Sequence, residues 1–268
     1  RFQPSELMKI IVPMTIAAIL SEKTLPPRPL PVAISMLAIG LVVLLIARQP
    51  DLGTSLLIGA SGVYVLFFSG VRVMLLKNKW LNLLLLSSLL GGSLFLAWNY
   101  FLIAYQKRRI LTLFNPESDP LGSGYHIIQS KIAIGSGGLT GKGITKGSQS
   151  QLDFVPEQST DFIFSVLAEE LGFLGVLLLI IIYSLIIYRC LILSLRCEDN
   201  FSRLLGASLT FVFFTYIFVN IGMVSGLLPV VGVPLPLISY GGSSLITLMA
   251  SFGIIMSIHK HKGPRYLQ

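Results

Sequence analysis

Gln151 to Gly175 reads QLDFVPEQSTDFIFSVLAEELGFLG. A polar stretch passes into an apolar helix near Thr160, and acids gather at the join. Asp153, Glu157, Asp161, Glu169 and Glu170 are five of the 12 Asp and Glu in 268 residues. Ionisable groups at the edge of hydrocarbon are costly, so they are read as functional or as paired. Helical spacing from Thr160 predicts Asp161, Ser165 and Glu169 within about 80° of one another, with Glu169 about 12 Å deeper and Glu170 turned away. Asp161 is then at a mouth, four residues after Glu157. Two carboxylates that close repel, the condition under which one serves as a general base. The competing reading of Asp161 is a helix N-cap, worth about 1 kcal/mol.

Outward from this stretch, the chain is built for lipid. Charged residues are 12% and the mean hydropathy is +0.80, against about 25% charged residues in soluble domains. Seven apolar stretches match the roughly 20 residues that cross a hydrocarbon core: 4–20, 30–47, 52–69, 80–101, 162–188, 204–226 and 243–258. The expected fold is an all-α polytopic membrane protein, one membrane domain over 1–268 with a large loop at 102–160. Short loops on one side carry Lys23, Arg28, Arg72, Lys77, Lys79, Arg189, Arg196, Arg203, Lys260, Lys262 and Arg265. Those on the other side carry Arg48 alone. The positive-inside rule makes the first side cytoplasmic and the large loop extracytoplasmic. The same distribution accounts for the net charge of +8 without nucleic acid. The chain opens at Arg1 with no pattern of a signal peptide. Cys190 and Cys197 have no His nearby and read as inert thiols.

Four further groups carry candidate chemistry. Glu6 and Lys9 lie three apart near the start of the first span, either as an interfacial ion pair or facing a cavity. The run Gly135 to Gly143, flanked by Lys131 and Lys146 and including Lys142, lacks the P-loop pattern. Its clustered N–H groups would suit a phosphate, or it is a turn-rich loop. Gln106-Lys107-Arg108-Arg109 opens the large loop, where Arg109 would clamp a phosphate or anchor at the interface. Gly232 to Ser244, with two prolines and a Gly pair, reads as an ordered outward or re-entrant segment with no titrating acid or base. Gly222 and Gly226 have a GxxxG helix-packing spacing.

Taken together, FQPSELMK at the start, QPDLGT at Gln49 to Thr54, GSGGLTGKG, PEQSTDFIFSVLAEELG and LPLISYGGSS resemble the SEDS family of bacterial cell-wall proteins. GYHIIQSKIAIGSGGL and NIGMVSGLLPVVGVPLPL place the resemblance on its RodA-like, elongation branch rather than the division branch. The resemblance covers nearly the whole chain and implies about ten spans, three of them ahead of Arg1. It implies a peptidoglycan glycosyltransferase that polymerises lipid II outside the bacterial cytoplasmic (inner) membrane. It maps the essential acid onto Asp161, the QPSE acid and following lysine onto Glu6 and Lys9, the preceding arginine onto Arg1, and a loop position linked to activity onto Gln106. The substrate-binding set expected from both lines is Arg1, Glu6, Lys9, Gln106, Arg109, Lys131, Lys142, Glu157 and Glu169. The leaving pyrophosphate calls for Lys9, Arg1, Arg109, Lys131 or a divalent cation, Mg or Mn, held by carboxylates. The implied partners are a class B penicillin-binding protein transpeptidase and other elongation-complex proteins. The competing classes are a flippase for lipid-linked precursor and a non-catalytic scaffold. A pump calls for acids near the midplane, whereas most acids here are near the outer rim.

Overall fold

The computed structural model describes residues 3–22, 25–49, 51–71, 87–88, 91–92, 95–119, 122–147 and 160–260. Among them there is no strand. The helices are α1 (Pro4–Ser21), α2 (Pro29–Ala47), α3 (Leu52–Phe68), α4 (Ala104–Phe114), α5 (Ser123–Gly137), α6 (Ile163–Leu195), α7 (Asn200–Val224) and α8 (Gly242–Lys260). A π turn at Ala97–Phe101 precedes α4, and a 3-10 turn at Pro116–Ser118 separates α4 from α5.

The ends of these helices follow from local chemistry. Pro4 and Pro29 stand in the first turns of α1 and α2, where a missing N–H costs nothing. Asp51 caps α3 by accepting from Thr54 N at 3.0 Å, and Asp199 caps α7 by accepting from Ser202 N at 2.9 Å. Among the described residues, five helices are long and apolar enough to cross a membrane: α1, α2, α6, α7 and α8. The apolar α3, at 17 residues, is slightly shorter. Six of the seven expected spans thus fall on helices. Half of the seventh, 80–101, lies outside the described residues.

Helix α7 is the hub, packing on α1, α3, α6 and α8. Buried polar contacts fix its register against α3: Ser208 Oγ donates to Ser61 O at 2.7 Å, and Tyr64 and Thr215 share a hydrogen bond of 2.6 Å. Among the described helices, α2 packs chiefly on α1 and α3, and its exposed face, with Leu37 at 76% exposure, is apolar, as suits a helix that meets lipid.

Helix α6 has 33 residues, about 50 Å if continuous, well beyond a hydrocarbon core of about 30 Å. It is broken at Gly172, which has φ 67° and ψ −166°, a conformation open essentially only to glycine. The glycine-rich run fills the break. Phe173 N and Leu174 N donate to Gly138 O (2.9 Å) and Leu139 O (3.1 Å), and Lys142 N and Gly143 N donate to Glu169 O (3.1 Å) and Glu170 O (3.0 Å). These bonds satisfy the groups that a helix end leaves open. The expected GxxxG packing is also revised. Gly222 sits in α7 against Leu228, whereas Gly226 lies beyond the helix end, its N–H bonded to Met223 O.

Candidate active site

Helix α6 begins at Ile163, with Phe162 in the capping position at φ −106° and ψ 14°. Asp161 therefore lies ahead of the helix, in a turn over Thr160–Phe162, and is neither its N-cap nor on the helical face shared by Ser165 and Glu169. This overturns both expectations for its local role, because the turn is not helical. The turn is held by its neighbours. Asn220 of α7 donates from Nδ2 to Asp161 O at 2.8 Å and to Val233 O at 2.7 Å. Ser239 Oγ donates to Thr160 O at 2.5 Å and accepts from Leu235 N at 2.7 Å. Gly232, at φ +74°, comes so close that a Cβ there would be 3.2 Å from Asp161 Oδ2.

Asp161 lines a cavity of about 570 Å³ with Tyr105, Arg108, Arg109, Asp119, Ser123, His126, Phe162, Val230 and Gly232. Tyr105, Arg108 and Arg109 reach it from one face of α4, at the i, i+3, i+4 spacing of a helix. Arg109 is fixed by donating to Val230 O at 2.9 Å, with its guanidinium 4.8 Å from the Tyr105 ring centre. Arg108 pairs with Asp119 at 2.8 Å, and Asp119 accepts from Ser123 N and Oγ at the start of α5. His126 stacks on Phe162, with ring centres 5.5 Å apart. One cavity thus joins a carboxylate to arginines and an imidazole, groups that take a proton and hold an anion. Arg109 and Asp161 were legible in the sequence. His126, Asp119 and Asn220 were not singled out, and Arg108 and Ser239 stood there only as members of longer candidate runs. For Arg108 the helical spacing was the available signal, and for His126 there was none.

The other expected residues lie elsewhere. Glu6 and Lys9 form an ion pair of 2.5 Å, and Lys9 also donates to Tyr216 OH. Lys9 is only 3% exposed, so the pair is buried within the bundle rather than interfacial. Lys9 lines a second, largely apolar groove among α1, α7, α8 and the segment Pro234–Leu237. The chain from Val230 to Gly241 thus runs between two cavities, with Val230 and Gly232 on the polar side and Pro234 to Ser239 on the apolar side.

Gln106 is buried at the start of α4, where its Oε1 accepts from Ile103 N at 3.2 Å. Lys131 lies over Gly226 on the α5 side. Lys142 and Glu169 form an ion pair of 2.6 Å beside the Gly172 break, Glu169 being fully buried. Neither lines the Asp161 cavity. The N–H groups of Gly141, Lys142 and Gly143 all bond to protein carbonyls, so the glycine run here stitches helices together instead of presenting those donors to a phosphate. Arg1 and Glu157 lie outside the described residues. Among the described residues, no three His, Cys, Asp or Glu side chains gather as a metal site.

The family model described as cell cycle protein, FtsW/RodA/SpoVE, matches residues 1–263, and the chain belongs to that family. It is 52% identical over 262 residues to the peptidoglycan glycosyltransferase MrdB of Escherichia coli strain K12, covering 98% of this chain and 69% of that protein. The crystal structure of the Thermus thermophilus rod shape determining protein RodA superposes with a TM-score of 0.64 at 30% identity, covering 100% of this chain and 67% of that one. A structure reported as the structural coordination of polymerization and crosslinking by a peptidoglycan synthase complex gives a TM-score of 0.75 at 31% identity, over 97% and 70% of the two chains. The bundle and this kinship make the chain a multi-pass membrane protein.

Proposed function

We propose that the chain is an inverting peptidoglycan glycosyltransferase of the elongation branch, which polymerises lipid II at the outer face of the cytoplasmic membrane with Asp161 as its general base. The observation that carries the mechanism is the cavity that Asp161 shares with Arg108, Arg109 and His126. Asp161 takes the proton of the acceptor's GlcNAc 4-hydroxyl as that oxygen bonds to the anomeric carbon of the donor's MurNAc. The bond from that carbon to the pyrophosphate breaks on the opposite face. An α-linked donor becomes a β-linked product in one displacement, with no covalent intermediate. Among the described residues, Arg109 is the cation expected to meet the leaving pyrophosphate that lines this cavity, with Arg108 and the His126 imidazole beside it. The outward orientation rests on the basic loops. A divalent cation, Mg or Mn, is part of the same proposal: the cavity carboxylates Asp119 and Asp161 would hold it, and it would supply further neutralisation of the leaving pyrophosphate. A class B penicillin-binding protein transpeptidase is the proposed partner, supported by the likeness to a synthase complex that couples polymerization to crosslinking.

The test is a gel of products formed from fluorescent lipid II by the full-length protein with its transpeptidase partner. The wild type is expected to give a ladder, Asp161→Asn none, and chelation is expected to remove the ladder until Mg is restored. A ladder from Asp161→Asn would overturn the base assignment. No ladder from a folded wild-type complex would favour the flippase or scaffold.

A further inference from the structure

We propose that Asn220 and Ser239 are positioning residues for Asp161, and that the Gly232–Ser244 segment is the frame through which they act. This rests on the reading of Asp161 as the base. The carbonyls of Thr160 and Asp161 are successive, they directly precede α6, and each is held by a side chain. Ser239 Oγ joins Thr160 O to Leu235 N, and Asn220 Nδ2 joins Asp161 O to Val233 O. Two cross-ties in parallel therefore lock the turn that carries the carboxylate onto alternate residues of one segment.

That segment is itself rigid. Pro234 and Pro236 fix two of its backbone angles. Tyr183 of α6 donates to Pro236 O at 2.6 Å, and the side chains of Val233 and Leu235 are each 1% exposed. Asn220 is fully buried, and its Oδ1 has no hydrogen-bond partner among the described residues. A buried acceptor left unsatisfied costs about 1–3 kcal/mol. An apolar residue at this point in α7 would avoid that cost but would leave the Asp161 and Val233 carbonyls without the donor that ties them together. Gly232 completes the frame by facing Asp161 Oδ2 from the same segment. Backbone ties on one side and a close wall on the other set where the carboxylate stands in the cavity. A general base works only within hydrogen-bond reach of its proton.

The experiment measures initial rates of polymerisation against lipid II concentration, with the full-length protein in lipid nanodiscs beside its partner. Ser239→Ala and Asn220→Ala are expected to lower kcat about 10- to 100-fold, the scale of a base displaced by a fraction of an ångström to an ångström, while KM stays within about twofold. Ser239→Thr keeps the hydroxyl and is expected to restore kcat to within about threefold of wild type. Unchanged kcat in Ser239→Ala, a KM that moves in step with kcat, or Thr no better than Ala would each overturn the proposal. If Asn220→Ala does not fold, the Ser239 pair decides alone. Asp161→Asn runs in parallel: its inactivity beside a fully active Ser239→Ala sinks the positioning proposal alone, whereas its continued turnover sinks the base assignment and this proposal together.

Discussion

At the scale of single residues, the polar cavity is sensitive to atoms that are absent. Gly232 combines a positive φ with a carboxylate oxygen that a Cβ would meet at 3.2 Å. Gly232→Ala should therefore cost about 1–2 kcal/mol of backbone strain. Pushing Asp161 aside should also cut polymerisation by about tenfold or more. Thermal unfolding and the gel assay read the two effects separately. The Glu6–Lys9 pair makes a different demand. Lys9→Met leaves Glu6 buried without its cation, at a cost of about 3–5 kcal/mol, whereas Glu6→Gln with Lys9→Met removes both charges and should recover most of the stability. A double-mutant cycle on the thermal midpoint checks this. Both residues were visible in the sequence as charges inside an apolar span. Their burial was not, because only the packing of Tyr216 from α7 shows where the lysine's end goes.

Among the elements, α6 best shows what patterning conveys and what it omits. The apolar run after Asp161 gave a span, correctly, since its length and composition are local properties. The break at Gly172 depends on bonds to Gly138 and Leu139, more than thirty residues earlier in the chain. No periodicity inside LAEELGFLG reveals a partner that distant. The same distance explains why Lys142 and Glu169 read separately as candidate site residues, although the fold pairs them with each other. The start of α6 was misplaced by three residues because Thr160–Phe162 is held as a turn by Asn220 and Ser239, and side-chain ties from other elements leave no local signature. Gly172→Ala follows as a prediction at this scale. Its Cβ would lie 2.8 Å from the Leu139 carbonyl oxygen in a conformation other residues avoid. A loss of about 1–3 kcal/mol or more is expected. Limited proteolysis should show faster cleavage near Ile144 as the stitch opens.

For the whole molecule, the six expected spans that fall on described helices, and their order, were readable because lipid imposes one strong rule on composition. The sidedness read from basic loops can be tested directly. Cys190 and Cys197 are buried, so labelling of the native thiols should be low. Leu139→Cys, on a residue 72% exposed, should react in intact spheroplasts with a membrane-impermeant maleimide. Glu198→Cys, on the α6–α7 connection, should react only after lysis. The opposite pattern would invert the topology.

The segment from Val230 to Gly241 has a pharmacological consequence. One thin wall separates the polar Asp161 cavity from a greasy recess. A compound with no resemblance to a saccharide, wedged beneath Pro234 and Leu237, would press on the backbone that braces Asp161. With Asp161 as the proposed base, inhibition by such a wedge is expected to be non-competitive with lipid II, because the wedge would displace the carboxylate without filling its cavity.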